Sequence, residues 1–236
     1  MRRKNMTTHE EQQKIWDAEH ANPNVLKQMD ADTPSGGVVK FSQFLKEHNI
    51  VSGRGIEMGC GKGRNVIWLS QKGFEMHGFD FAPSAIAEAK RRATSAKSTA
   101  ALYVHDATIA WPYETDSFDF GIDCFASTDI VEPVGRAFAI SEMYRILRPG
   151  GHLLAYLLST DDEFHNEMVQ KSPAKEKNAF LHPTGKFEKT FDESEIRSLY
   201  EKFELVRLER IAKTTTFNNR EYACNHFLVV FRKPLH

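Results

Sequence analysis

The strongest constraint on the fold is the stretch Gly55-Ile56-Glu57-Met58-Gly59-Cys60-Gly61-Lys62-Gly63-Arg64-Asn65. A short apolar run ends in an acid and then in alternating glycines. The run reads as a buried strand, and the glycines as a turn whose backbone can approach a bound molecule closely. Glycine has no side chain to intervene and tolerates positive φ. The helix predicted next, Asn65 to about Lys72, turns its free N–H groups toward the same spot.

The spacing bears on what is bound. A dinucleotide fingerprint G-x-G-x-x-G beginning at Gly59 needs glycine at position 64, which is Arg64. Glu57 instead sits two residues before the first glycine, at the end of the strand. A carboxylate there suits a ligand bearing a cationic ammonium group better than one bearing a pyrophosphate. Phe74 to Asp80 reads as a second buried strand ending in an acid, where Rossmann-like folds hydrogen-bond a ribose, so Asp80 is the ribose candidate. Leu102 to Asp106 reads as a third strand ending in an acid and Phe118 to Cys124 as a fourth. Arg148 to His152 reads as a turn opening a fifth, Leu153 to Leu158. Taken singly, acids at strand ends serve equally well as helix caps or turn formers. Glu57, Asp80 and Asp106 at three successive strand ends match the carboxyl edge on which open α/β sheets bind ligands.

On these residues the chain resembles the class I S-adenosylmethionine-dependent methyltransferases, whose first motif is D/E-x-G-x-G-x-G. The resemblance implies an α/β, Rossmann-like doubly wound sheet of seven mostly parallel strands with an antiparallel last strand. It implies S-adenosyl-L-methionine as cofactor, held by Glu57, Gly59, Cys60, Gly61, Asn65, Asp80, Phe81, Asp106, Ala107 and Cys124, with Asp106 and Ala107 against the adenine. The segment Phe125 to Asp129 faces the transferable methyl in this family, which makes Ser127 and Asp129 the catalytic candidates. Within the family the chain is similar to the tellurite-resistance and thiol methyltransferase-like group. That similarity rests on Gly59 to Asn65, on Gly73-Phe74 leading to Asp80, and on Phe191 to Phe203 followed by a hairpin closing in Phe231-Arg232-Lys233. The N-terminal segment is longer than that group's, and Arg210, Arg220 and His226 are the candidates for the group's basic substrate-side residues.

Composition narrows the classes. With 236 residues, 41% hydrophobic, the chain can bury one substantial core, and a single domain is expected. The formal net charge of −1 gives no sequence-wide reason to expect nucleic acid or a membrane as partner. The clusters Arg2-Arg3-Lys4 and Lys90-Arg91-Arg92 read as solvated. No run approaches the ~20 apolar residues of a membrane span, and Met1 to His20 lacks an apolar signal core. Cys60, Cys124 and Cys224 show no metal-ligand spacing and suit a reducing cytoplasm, with no metal expected. The expected partner is a small-molecule methyl acceptor, and the assembly a monomer or homodimer.

Alternation of strand and helix implies parallel strands with right-handed crossovers. Pro83 suits the first turn of a helix through Ile86 and Ala89. Arg136 to Leu147 carries an apolar face at helical spacing. Asp192 and Glu195 form a capping-box start for a helix burying Ile196, Leu199, Tyr200 and Phe203. Strands Leu205 to Ala212 and Tyr222 to Arg232 are predicted to join through Asn218-Asn219. The organisation expected is an N-terminal helical cap over 1–49, a cofactor-binding core over 50–158, a substrate-side insertion over 159–190, and a helix and β-hairpin over 191–236. The cap, with Trp16 and His20, and the insertion, with Phe180, His182 and Pro183, are expected to roof a substrate pocket.

The methyl of a sulfonium is already activated, so the protein chiefly has to align donor and acceptor. A thiolate or metalloid oxyanion needs little proton removal, whereas an O or N nucleophile profits from a histidine or carboxylate within reach. His20, His105, Asp129, His182 and His226 qualify by type. Two other classes stay open at this point, a NAD(P)-dependent oxidoreductase and a non-catalytic cofactor-binding protein.

Overall fold

The computed structural model describes residues 7–22, 33–217 and 219–235. The apolar runs become one sheet: β1 (Arg54–Met58), β2 (Glu75–Asp80), β3 (Ala101–Val104), β4 (Phe118–Cys124) and β5 (Leu147–Leu158) run parallel. With β8 (Glu204–Phe217) and β9 (Arg220–Arg232) the order is β3-β2-β1-β4-β5-β9-β8, and β9 is antiparallel to both its neighbours. A separate hairpin pairs β6 (Ala179–Leu181) with β7 (Phe187–Lys189). This is the Rossmann-like α/β sheet with an antiparallel last strand.

Alternation along the strands divides the core. Phe118, Leu153, Ala155, Leu157, Phe227 and Val229 pack with α6 (Pro133–Ile146) and α8 (Glu193–Leu199). Phe120, Ile122, Leu154, Tyr156, Leu228 and Val230 pack with α2 (Gly36–Glu47), α3 (Arg64–Ser70) and α4 (Pro83–Ser95). The helix α2 is thus a layer of the core, its Phe41 and Leu45 fully buried. Within the segment 1–49 expected to form a cap, only α1 (His9–Ala21) among the described residues lies outside that layer.

Strand order reverses between β1 and β4, and a crevice at that switch point is where open α/β sheets bind ligands. Several boundaries differ from expectation. The strand β3 ends at Val104, so Asp106 stands in the loop beyond it. The predicted turn Arg148 to His152 belongs to β5, because Gly150 N donates to Lys233 O and Lys233 N to Gly151 O, at 2.9 and 2.8 Å. The hairpin β8–β9 extends beyond the expected strands; Asn219 has φ +63°, and Asn218 lies outside the described residues.

The capping box of α8 forms as predicted, with Glu195 N donating to Asp192 Oδ1 at 2.9 Å and Asp192 N to Glu195 Oε2 at 3.1 Å. It delivers Tyr200, whose hydroxyl donates to Asp123 Oδ2 at 2.8 Å at the end of β4. Asp123 is fully buried, and burial pushes its carboxyl up. Tyr200→Phe is expected to cost about 1–3 kcal/mol by leaving that oxygen short of a donor, read as a lower urea midpoint at unchanged slope. An unchanged midpoint would mean that Asp123 finds another donor.

Candidate active site

The loop after β1 has the conformation that its glycines predict. Gly59 and Gly61 have φ +61° and +52°, and a Cβ on Gly59 would meet Ala126 Cβ at 2.6 Å. The loop therefore presses against α5 (Ala126–Asp129), the short turn after β4. Phe125, which starts that turn, has φ +68°, a strained conformation for a bulky residue and one that clusters at functional sites.

A cleft of about 720 Å³, solvent mouth included, opens between the loop, α5 and α1. Of the ten expected cofactor residues, Gly59, Gly61, Asp80, Phe81, Asp106, Ala107 and Cys124 line it. Glu57, Cys60 and Asn65 do not line it. Asn65 Nδ2 donates to Glu57 Oε1 at 2.7 Å, while Asn65 Oδ1 accepts from Ser35 N at 2.8 Å. Glu57 Oε2 is buried with no hydrogen-bond partner among the described residues. Burial, only partly offset by Asn65 and Arg64, pushes the Glu57 carboxyl up to about 8. Asp80 accepts from Gly61 N through Oδ2 and from Ala82 N through Oδ1, both at 2.9 Å, so each oxygen keeps a lone pair. Burial raises its carboxyl to about 6. Cys60 and Cys124 are thiols whose ionisation burial makes harder, which leaves them as packing groups.

One of the cleft's walls comes from far along the chain. His9, Trp16 and His20 line it from one face of α1. His9 Nε2 lies 2.7 Å from Asp106 Oδ2, while Asp106 Oδ1 accepts from Thr108 N and Oγ1 at 2.8 Å. Gln13 Nε2 donates to Phe81 O at 2.9 Å, and Ser84 N to Asp17 Oδ1 at 2.7 Å. The helix α1 is thus fastened across β2 and the start of α4. The hydrogen bond with Asp106 raises the His9 imidazole, and the same contact helps hold the Asp106 carboxyl down. The His9 contribution is fully present below 6.5 and is lost as pH rises through the raised value. The Asp106 contribution is present above 3.8 and is lost as pH falls through the lowered one. Hydrogen exchange in α1, corrected for intrinsic rate, is therefore expected to accelerate above neutral pH in the wild type and much less in His9→Gln. Equal pH profiles would show that the pair does not hold the helix.

The catalytic candidates separate. Asp129 lines the cleft; Ser127 does not, being fully buried with its N–H on Asp123 Oδ1 at 3.1 Å. The expectation of a reacting Ser127 is corrected accordingly, because the turn of α5 puts it inside the protein. Among the histidines, His20 and His105 line the cleft and His182 and His226 do not. His226 Nδ1 is 3.1 Å from Tyr156 Oη, and Arg210 and Arg220 pair with Asp161 and with Glu163 and Glu167. None of these three basic residues reaches the cleft.

No residue of 159–190 lines the cleft, so the insertion is not a roof; it buttresses the walls. Gln12 Nε2 donates to Gly185 O and Phe187 N to Gln12 Oε1, both at 2.9 Å, and Lys186 Nζ is 3.3 Å from Glu19 Oε2 and 4.6 Å over the Trp16 ring. Sequence reading missed His9, whose partner is 97 residues away, and Arg136. The buried Arg136 donates to Ser127 O at 2.9 Å and Ile130 O at 2.6 Å while pairing with Glu176. It clamps the segment that carries Asp129. An arginine inside a helical pattern gives no sequence signal of such a role.

The sheet order and the glycine loop beneath a switch-point cleft define a Rossmann-like cofactor-binding domain. Residues 56–151 match the family model described as a methyltransferase domain, and the match supports S-adenosyl-L-methionine as the cofactor of that stretch. A solved structure from Methanosarcina mazei, described as a SAM-dependent methyltransferase, superposes with a TM-score of 0.70 at 24% identity, covering 81% of this chain and 98% of that one. Among curated proteins, Hemagglutinin 1 of Eikenella corrodens is 26% identical over 183 residues, 76% of this chain and 54% of its own. The tRNA N(3)-methylcytidine methyltransferase Mettl2 of Drosophila melanogaster is 28% identical over 190 residues, 76% of this chain and 58% of its own. The chain spans little more than half the length of these two relatives. Among the described residues no helix is long and apolar enough to cross a membrane, and no group of three or more His, Cys, Asp or Glu is arranged to hold a metal ion.

Proposed function

We propose that the protein transfers a methyl group from S-adenosyl-L-methionine to a small-molecule acceptor. The observation that carries this reading is the convergence of Asp80, Asp106 and the Gly59–Gly61 backbone on one cleft, with a buried Glu57 oxygen beside it that has no partner among the described residues. These residues fit the cofactor. Asp80 retains lone pairs for ribose hydroxyls, and Glu57, steadied by Asn65, offers a carboxylate to an ammonium. Phe81, Ala107 and Asp106 would border the adenine. The bound cofactor supplies an electrophilic methyl on a positively charged sulfur.

The chain's own work is then alignment, exclusion of water and handling of one proton. The helix α1 covers the cleft and is tied down at His9, Gln13 and Asp17. Asp129, held on α5, is the residue assigned to receive the acceptor's proton. The tRNA of the Drosophila relative is not carried over, since a net charge of −1 offers little to a polyanion.

Calorimetric titration with S-adenosylhomocysteine, with NADH as control, tests the reading. Saturable binding of S-adenosylhomocysteine and none of NADH is expected. Binding of NADH alone would replace the assignment with an oxidoreductase. Binding of S-adenosylhomocysteine with no turnover across an acceptor screen would favour a non-catalytic protein.

A further inference from the structure

The cleft wall carries an acceptor group with lone pairs to spare and a donor group without a partner among the described residues. Asp129 receives a hydrogen bond from the adjacent Thr128 Oγ1, at 3.2 Å on Oδ1, and no other among the described residues. Trp16, 7% exposed and also in the cleft wall, has its indole Nε1 buried with no hydrogen-bond partner among the described residues. A buried N–H without a partner costs free energy unless something fills it, and the half-buried Asp129 carboxyl, with one hydrogen bond, keeps lone pairs to offer. Phe125 and Ile130, one aromatic and one aliphatic, also line the cleft.

The charges nearby favour one sign of ligand. The charge of Glu188 bears on Asp129, and Glu188 is engaged by His182 Nε2 at 3.1 Å, His165 Nε2 at 3.5 Å and Lys186 Nζ at 3.5 Å. Lys186 is shared with Glu19, and His165, held protonated to about 9, is shared with Asp162 at 2.6 Å. The cations here are therefore committed to acids, and among the described residues none forms an ion pair with Asp129, although the Lys186 charge bears on it. An anion entering beside Asp129 would give up its hydration with no uncommitted cation among the described residues to replace it. The basic candidates Arg210, Arg220 and His226 stand outside the cleft.

Resting on the methyltransferase reading, we propose that the acceptor is an uncharged or cationic aromatic N–H or O–H nucleophile that donates to Asp129 and accepts from Trp16 Nε1. Thiolates and metalloid oxyanions are excluded as acceptors. In the reaction the acceptor's nitrogen or oxygen forms a bond to the methyl carbon, the carbon–sulfur bond breaks with its electron pair going to sulfur, and the acceptor's proton passes to the Asp129 carboxylate. Burial and the Glu188 charge raise that carboxyl's proton affinity, which suits it to the task.

The test uses the full chain saturated with S-adenosylhomocysteine and three probes: 2-pyridone, an aromatic ring with adjacent donor and acceptor; picolinate, its anionic counterpart; and tellurite. 2-Pyridone is expected to bind at least tenfold tighter than either anion and to shift the indole N–H resonance of Trp16, identified by its absence in Trp16→Phe. In Asp129→Asn the 2-pyridone-to-picolinate affinity ratio should fall at least tenfold with S-adenosylhomocysteine affinity retained. Anions binding as tightly as 2-pyridone, no probe binding at all, an unmoved Trp16 resonance or an unchanged ratio would each overturn the acceptor class. Failure of the wild type to bind S-adenosylhomocysteine would instead overturn the methyltransferase reading, so the two failures are separable.

Discussion

Arg136→Met is expected to lower unfolding free energy by about 3–5 kcal/mol, the cost of breaking a buried ion pair by removing one partner. The side chain is only 3% exposed and joins three things at once. It holds the carboxylate of Glu176 in the insertion and the carbonyls of Ser127 and Ile130, and it lies 5.6 Å from the Phe191 ring. Methionine replaces the volume but not the donors, so Glu176 keeps, among the described residues, only Lys189 Nζ, 3.5 Å away, and two carbonyls flanking Asp129 lose their partner. Urea unfolding measures the loss. The double variant Arg136→Met, Glu176→Met should recover part of it, because the under-compensated charge is gone and Lys189 keeps Glu195, while the carbonyls stay unpartnered. A single-variant loss under about 1 kcal/mol would put the pair in the class of solvent-screened surface bridges. The acceptor side should suffer more than the cofactor side, since the clamp holds 125–130 and not the glycine loop.

How much of this was readable from the sequence follows from the range of each interaction. The strand β4 coincides with its predicted span, and the β1 loop, the α8 capping box and the Rossmann-like sheet also match expectation, because each is written in residues close together in sequence. Seven of the ten expected cofactor residues line the cleft for the same reason: loops that follow parallel strands share one edge. What failed was set by distant contacts. The turn at Arg148 to His152 is drawn into β5 by pairing with Lys233 at the far end of the chain. Ser127 and Asp129 are two residues apart on one short turn, and only its tilt decides which is buried and which meets the cleft. The role of the insertion as buttress depends on Gln12 reaching Gly185 and Phe187, contacts that no local pattern announces.

Glu57→Gln is expected to weaken S-adenosylhomocysteine binding by about tenfold to hundredfold, the equivalent of a lost charge-assisted hydrogen bond worth roughly 1.5–3 kcal/mol. The same variant should flatten part of the free protein's pH dependence. With its carboxyl raised from 4.5 to about 8 by burial, the folded state keeps a proton that the unfolded chain has lost. Stability therefore falls as pH rises through that window, by up to about 1.4 kcal/mol per pH unit. Asp80, raised from 3.8 to about 6, adds to the slope only in the lower part of the range. The difference between wild type and Glu57→Gln from pH 6 to 8 thus isolates Glu57, and denaturant unfolding across that range measures it. An ammonium brought beside Glu57 favours its ionised form, so binding near pH 7 should release a proton in the wild type and not in the variant. Calorimetry in buffers of different ionisation enthalpy reads that proton directly. If affinity, proton release and pH slope are all unchanged in Glu57→Gln, the buried carboxyl is a packing feature and the ammonium must be held elsewhere. If only the pH slope changes, its burial costs stability without serving the cofactor. If all three change together, the free protein keeps a destabilising acid in its core because the ligand neutralises it.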